Sequence, residues 1–442
     1  MKIELPGQVK TIISTLEEQG FEAYAVGGCV RDSLLGRNPS DWDITTSALP
    51  EEVKKWFRRT VDTGIQHGTV TVLLDGTGFE VTTYRLDGEY EDGRHPREVL
   101  FTSRLREDLQ RRDFTINAMA YNDREGLVDL FDGTGDMERK VIRCVGNPKE
   151  RFGEDALRIL RAVRFSAQLG FSIEEETKEA IEELSPNLQK ISAERIQTEL
   201  VKLAVSSHPE EILTAYQTGI TRVILPEFDQ AMETEQRSLH HLFCVGEHLA
   251  ASMKAVEQEK GLRLAALLHD IGKPLVKSTD EEGQDHFYGH GDVSAEMAKG
   301  ILRRLKFDNE TIRRVTKLIA FHDDRPDLTE RSVRRLLSKT GAELFFDVLK
   351  LQKADVAAQS DYRREEKLEY LEKVRIIGEE ILRKKQCFCL KDLAVKGQDL
   401  IMDGMKPGKD MGRVLDALLK EVLEDPEKNE KTYLLEYSRS IR

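Results

Sequence analysis

Asp41-Trp42-Asp43 stands just ahead of Ile44-Thr45-Thr46, where the chain reads as entering a strand. Residues i and i+2 of a strand share a face, so the two carboxylates project together. Two adjacent carboxylates are costly unless a cation neutralises them. Divalent ions that prefer oxygen ligands, above all Mg2+, suit such a pair. Two such ions can activate a 3′-hydroxyl and stabilise a leaving pyrophosphate. Glu80, on the strand expected alongside, is a candidate third carboxylate. Upstream, Gly27-Gly28 falls at a strand-to-helix turn and is followed by Arg31-Asp32. Glycine lets backbone N–H groups approach a phosphate, and a helix amino terminus adds a favourable dipole. Each feature alone also fits a plainer reading, Gly-Gly as an ordinary turn and Asp-x-Asp as a solvated loop with an N-cap.

These residues need a scaffold. A chain of 442 residues exceeds one ordinary core, so about two to four domains are expected. Hydrophobic content of 39% with 33% charged residues fits a globular protein rich in helix. Neither a bilayer-spanning run nor a signal-like amino terminus is present, so a cytoplasmic protein without membrane contact is expected. The five cysteines have no zinc-like pairing and read as reduced thiols. Short β-rich runs alternate with helical stretches over residues 1–140. Among them is a hairpin around Asp75-Gly76, with a loop of about three residues. Beyond about residue 150 the strand signals fade into amphipathic helices, of which 154–170 is one. The net charge of −13 argues against a nucleic-acid binder overall. Local clusters argue the other way: Arg94, Arg97, Arg104, Arg106, Arg111 and Arg112, then Arg158, Arg161 and Arg164. Acids are interleaved with both, so composition leaves RNA binding open.

In order along the chain, Gly-Gly-x-x-Arg-Asp, Asp-x-Asp and Arg111-Arg112-Asp113-Phe114-Thr115-Ile116-Asn117-Ala118 resemble the class II tRNA nucleotidyltransferase and bacterial poly(A) polymerase superfamily. The resemblance covers nearly the whole chain. It implies an α+β protein whose head has the nucleotidyltransferase fold of DNA polymerase beta, followed by a helical neck, body and tail. It makes Asp41 and Asp43 ligands of two Mg2+ ions. It also sets Arg111, Arg112, Asp113 and Asn117 against the triphosphate and ribose of the incoming nucleotide. Glu154-Asp155-Ala156-Leu157-Arg158 resembles the element with which CCA-adding enzymes choose a base. The i,i+3 spacing of Asp155 and Arg158 predicts one helix face. There an Arg fork meets O2 and N3 of cytosine while the carboxylate accepts from N4, and a slight shift serves N1 and N6 of adenine. A surface ion pair is the plainer alternative. Arg161 and Arg164, with Arg151, are candidates for nucleotide or RNA phosphate, or for pairing with nearby acids. Residues 84–113 resemble the flexible segment of enzymes that add all of CCA.

His248, His269-Asp270 with Gly272-Lys273, and Asp355 resemble the HD metal-dependent phosphohydrolases. His290 and His322 are candidates for a second metal position, and spacing does not decide between His241 and His248. Imidazole and carboxylate suit Mn2+, Ni2+ or Fe2+. The expected organisation is a head over 1–140, a neck over 141–205, a body over 206–385 and a tail over 386–442. The tail's Gly408-Lys409 turn, with Gly412, is open to RNA phosphate or to an ordinary N-cap reading. The expected activity is addition of CCA to tRNA from CTP and ATP, with the acceptor arm as partner and no obligatory protein partner. An A-adding specialist, a poly(A) polymerase and an HD phosphohydrolase with an RNA-binding head are the alternatives.

Overall fold

The computed structural model describes residues 2–87, 99–238 and 242–442. It contains two compact units, Met1–Pro226 and Glu227–Arg442. The first 140 residues of the first unit hold strands β1 (Ala23–Val26), β2 (Ile44–Thr46), β3 (Thr60–Gly64), β4 (Thr69–Leu74), β5 (Thr77–Thr83), β6 (Arg85–Asp87), β7 (Val99–Phe101), β8 (Met119–Asn122) and β9 (Gly126–Asp129). Seven of them form one sheet in the order β3-β4-β5-β2-β1-β8-β9, while β6 and β7 pair separately. Helix α1 (Gly7–Glu18) buries Val9, Ile12, Ile13 and Leu16, the spacing of a single helical stripe. They join Ala23 and Ala25 of β1 in the core beside Ile44, Val70, Val72 and Val81. Tyr24 and Val26 point the other way, into a second cluster with Tyr84, Leu109 and Ala120. With both faces covered, β1 is buried along its length.

The β4–β5 hairpin turns on two residues, where the sequence suggested about three. Asp75 and Gly76 have φ of 50° and 82°, and Leu74 pairs with Thr77. Two residues of positive φ give a turn whose twist matches that of the strands. Six more helices complete the site-bearing part: α2 (Gly28–Leu34), α3 (Pro50–Trp56), α4 (Leu105–Gln110), α5 (Gly133–Arg139), α6 (Pro148–Glu154) and α7 (Leu157–Leu169). The single helix expected over 154–170 is broken, because Asp155 is extended with φ −137° and ψ 102°. Its Oδ1 accepts from the N–H of Leu157 at 3.0 Å, an aspartate competing with helix continuation by capping the next one. Asp155 and Arg158 therefore do not share one helix face.

The chain is α+β, with its sheet in the head and a mostly helical remainder. Short strand pairs do recur beyond the head, at Val141–Ile142 with Ser172–Ile173 and at Ser278–Thr279 with Asp285–His286. In the second unit one core gathers Val333, Leu337, Phe345, Leu371 and Val374. Another gathers Val395, Leu400, Val414, Leu418 and Leu434. Among the described residues no helix is long and apolar enough to cross a membrane.

Candidate functional site

Alternation along β2 sends Ile44 into the core and Thr45 to the opposite side, where its Oγ1 bonds Asp108 Oδ2 at 3.1 Å. Asp43 shares the side of Thr45 by the same alternation. Strands β2 and β5 run parallel with Ile44 opposite Val81, so one further step of that register sets Asp43 level with Glu80. Asp41, Asp43 and Glu80 are all exposed to solvent. The Asp43 carboxyl is held above its ordinary pKa, first by desolvation; Arg112 opposes the rise, and the charges of Glu80 and Asp41 add to it. An acidic group that strains against its own charge fits a hard divalent cation. The head carboxylates are not drawn into a tight cluster. Among the described residues, groups of three ligand atoms lying within 4.8 Å of one another occur in the second unit.

Gly27 heads α2 with φ 81°, and its N–H bonds Met119 O at 3.1 Å. A Cβ there would stand 3.0 Å from Arg112 Nη1, so glycine serves both the conformation and the close approach. Gly28 follows as the first residue of the helix. Arg112 Nε is buried and has no hydrogen-bond partner among the described residues. A buried donor left unmade is costly. Its position next to the glycine turn and the acidic group makes it a donor for an anion that comes with a cation.

Sequence reasoning missed the residue that aims this arginine. Asp108 is fully buried and takes Arg111 Nε and Nη2 on Oδ1 at 2.9 and 2.8 Å. Its Oδ2 lies 3.4 Å from Arg112 Nη2. Burial alone would raise its pKa, but Arg111 and Arg112 outweigh that and hold it below the usual carboxylate range. The signal was present as an acid three and four positions ahead of an Arg pair on a helix.

A second chain of bonds runs from α2 to α7. Arg31 Nη1 donates to Asn117 Oδ1 at 2.6 Å, and Asn117 Nδ2 donates to Asp113 Oδ1 at 3.1 Å. Arg161 closes it on Asp113 Oδ2 through Nε at 2.7 Å and Nη2 at 2.6 Å. Burial works to raise the Asp113 pKa, yet Arg161 and Asn117 bring it well below the carboxylate range. Arg31, Arg161 and Arg164 also stack on one ring, that of Phe165, at 5.1, 5.4 and 3.8 Å from its centroid. Arg164 donates further to Glu199 at 2.5 Å and Gln168 at 2.7 Å. Asp155 and Arg158 each pair elsewhere than with one another. Asp155 Oδ2 holds Arg195 Nη2 at 2.9 Å, another partner the sequence did not reveal. Arg158 donates to Glu154 at 2.6 Å and to the carbonyls of Arg151 and Arg111 at 3.1 and 3.0 Å. Arg94 and Arg97, with the rest of 88–98 in the segment 84–113, lie outside the described residues.

In the second unit all six residues singled out for metal come together. His248 sits in helix Val245–Ala255, His269-Asp270 follows Lys260–Leu268, His290 opens His290–Arg304, His322 follows Asn309–Phe321 and Asp355 belongs to Ala342–Ala357. His248 Nε2 lies 3.0 Å from Asp355 Oδ1, 3.3 Å from His269 Nε2 and 3.5 Å from Asp270 Oδ2. On the other side of Asp270, Oδ1 lies 3.2 Å from His290 Nε2 and 3.6 Å from His322 Nε2. Asp270 thus belongs to two triads, one with His248 and His269 and one with His290 and His322. Every Nδ1 is turned to a backbone carbonyl: His269 to Ala266, His290 to Phe287 and His322 to Ile319 at 2.9, 2.8 and 2.7 Å, with His248 to Ala358 at 3.4 Å. In the neutral imidazoles this turns the Nε2 lone pairs into the cluster, the orienting arrangement of metal-binding imidazoles. Burial holds His269 neutral, its pKa brought down to about 4. Lys273 Nζ, 2.6 Å from Asp270 Oδ2, offsets part of the acidic charge. His241 lies outside the described residues.

Three family profiles match the chain. They are the poly A polymerase head domain over 23–143, the probable RNA and SrmB-binding site of polymerase A over 170–232, and tRNA nucleotidyltransferase domain 2 over 278–438. A CCA-adding enzyme of Lactobacillus delbrueckii is 36% identical over 434 residues, 97% of this chain and 96% of the relative. One from Lactiplantibacillus plantarum is 36% identical over 444 residues, 99% of this chain and 98% of the relative. Among solved structures, the Bacillus stearothermophilus CCA-adding enzyme in complex with CTP superposes with a TM-score of 0.73 at 30% identity, covering 99% of both chains. The Thermotoga maritima enzyme complexed with tRNA gives 0.62 at 22% identity over the full length of both, a likeness of fold.

Proposed function

Because the chain belongs to the CCA-adding family of tRNA nucleotidyltransferases, we propose that it extends the 3′ end of tRNA with C, C and A, without a nucleic-acid template, from CTP and ATP. The observation that carries this reading is the buried, unpartnered Nε of Arg112 beside Gly27 and the Asp41/Asp43/Glu80 group. An Mg-bound triphosphate brings the anion the arginine lacks and the cation the carboxylates lack. Asp41 and Asp43, with Glu80, would hold two Mg2+ ions, which supply an activated 3′-hydroxyl and neutralise the leaving pyrophosphate. Gly27-Gly28 and Arg111 take the phosphates beside Arg112, and Arg31, Asp113 and Asn117 the ribose side. Arg161 and Arg164 act from behind, through Asp113 and Phe165.

Base choice falls to Asp155 and Arg158, which exchange Arg195 and Glu154 for the edge of cytosine or adenine. Uracil and guanine present a carbonyl where the carboxylate needs a donor, and such a mismatch in a dry pocket is heavily penalised. The division into head (1–140), neck (141–205), body (206–385) and tail (386–442) assigns catalysis to the head, selection to the neck and the grip on the acceptor arm to the body and tail.

A second reading concerns the His/Asp cluster, favoured by its four inward-facing Nε2 atoms. It is a phosphohydrolase centre for phosphorylated RNA ends, with Mn2+, Ni2+ or Fe2+ supplying an activated water. Removing a terminal phosphate frees the 3′-hydroxyl that CCA addition requires.

The test uses purified protein, Mg2+ and tRNA transcripts ending before CCA, after C and after CC. Extension of all three to CCA, stopping there, is expected. Addition of A alone to the CC-ended transcript would identify an A-adding specialist, and long A tracts a poly(A) polymerase. Asp41→Ala should abolish addition and spare phosphate release, and His269→Ala the reverse. Loss of both activities in either variant would defeat the two-site reading.

A further inference from the structure

The two halves of the head site are carried by different elements. Asp41 and Asp43 precede β2, while Arg111 and Arg112 follow α4. Neither half fixes its own distance from the other. That distance matters, because a metal-bound triphosphate engages both halves at once, and a misplacement of about 1 Å can cost about a hundredfold in rate.

Helix α4 has six residues, Leu105–Gln110, too few to be stable by themselves. Its apolar anchor is Leu109, fully buried beside Tyr24, Val26 and Ala120. Apolar contact is non-directional, so it holds the helix down without setting where the arginines point. Direction comes from Asp108. A carboxylate has about four acceptor positions, and neighbours on α4 and β2 fill those of Asp108. Oδ1 takes Arg111 Nε and Nη2 at 2.9 and 2.8 Å. Oδ2 takes Arg112 Nη2 at 3.4 Å and Thr45 Oγ1 at 3.1 Å.

Thr45 belongs to β2, the strand that the metal carboxylates lead into. Like Asp108 it is fully buried. Its hydroxyl has one proton and two acceptors within reach, Asp108 Oδ2 and, at 3.3 Å, Thr82 O. The ionised carboxylate is the nearer and the stronger acceptor, so the bond runs from strand to helix. A buried hydroxyl needs one partner, and the Thr82 carbonyl alone would satisfy a threonine that served only the sheet. The path from metal side to phosphate side is short: Asp43 stands two residues before Thr45, and Arg111 and Arg112 stand three and four after Asp108.

We propose, resting on the nucleotidyl-transfer reading of the head, that Thr45 is a positioning residue for that reaction. Through Asp108 it sets the spacing between divalent ions at Asp41 and Asp43 and the phosphate arginines Arg111 and Arg112. Without the bond each half keeps its own ligands, but the two no longer meet the same triphosphate in register. The arginines follow the phosphates freely when no metal holds them, so the loss falls on the metal-bound nucleotide.

The test is calorimetric titration of CTP into the full chain without RNA, so that nothing is transferred, once with divalent ions chelated and once with Mg2+. In the unaltered chain Mg2+ is expected to tighten CTP about a hundredfold. Thr45→Val should leave the chelated affinity within about twofold and cut the Mg2+ gain to about tenfold. Thr45→Ser, which keeps the hydroxyl, restores most of the gain. In parallel, kcat for adding the first C should fall about tenfold in Thr45→Val, with KM for tRNA unchanged. Urea midpoints report whether each variant is folded, and Thr45→Ala stands in where Thr45→Val is not. In an Asp108→Asn background, Thr45→Val should cost less than about threefold, since the two residues act as one. A Mg2+ gain that survives loss of the hydroxyl, a deficit that Thr45→Ser shares, or additive effects in the double variant overturn the proposal. No Mg2+ gain in the unaltered chain would defeat the metal reading of Asp41 and Asp43, and the role of Thr45 with it.

Discussion

At the scale of single residues, the head is organised by two buried carboxylates, Asp108 and Asp113, that anchor the arginines around the proposed nucleotide position. Removing one partner of a buried ion pair typically costs about 3–5 kcal/mol, so Asp108→Ala should lower the urea midpoint by a corresponding amount at pH 7. Both groups have pKa values depressed by folding, and an unfolded aspartate titrates near ~3.9. They bind fewer protons folded than unfolded at low pH. Their stabilisation is therefore complete above about pH 4 and lost as pH falls through the folded values. Urea titrations from pH 7 to pH 2 should find a shallower acid limb in Asp108→Asn than in the unaltered chain. The residues proposed to touch nucleotide or metal were legible because chemistry fixes their type and spacing, as in Asp41/Asp43 or His269-Asp270. Asp108 left a signal that was overlooked, an acid three and four positions ahead of an Arg pair. Arg195 and Phe165 left none. In the sequence they are a base on a helix and an apolar residue, and their meaning lies in partners on other elements.

At the scale of elements, turns and close approaches decide where those residues point. Gly133, at the start of α5, is buried, and a Cβ there would run into the carbonyl oxygen of Thr115, in the turn that carries Asn117. Gly76 has nothing within 4 Å of its would-be Cβ and only its φ of 82° to protect. Gly76→Ala should cost about 1 kcal/mol and leave CTP affinity alone. Gly133→Ala should cost about 1–3 kcal/mol and weaken CTP binding as Asn117 shifts. Calorimetric titration with CTP beside denaturant unfolding separates the two outcomes. Periodicity gave the helices well and their breaks badly. The interruption at Asp155 leaves no mark in an apolar spacing, because the side chain that ends one helix begins the next.

At the scale of the molecule, the site types fall into different compact units, the residues proposed for nucleotidyl transfer in Met1–Pro226 and the His/Asp cluster in Glu227–Arg442. A ligand stabilises what it binds by RT ln(1 + [L]/Kd), about 2.7 kcal/mol at a hundredfold excess over Kd. Thermal unfolding followed by calorimetry should resolve two components. CTP with Mg2+ should raise the one assigned to the first unit, and Mn2+ should raise the other. A single transition shifted equally by both additions would count against independent sites. The cluster also joins His248 to Asp355, two residues in contact distance though remote along the chain. In polymer terms, an occupant that tethers them deletes open-loop conformations from the unfolded ensemble, an effect that grows with the length of chain enclosed. Susceptibility to proteolysis would then follow metal supply, and a starved cell would turn over its unloaded copies first.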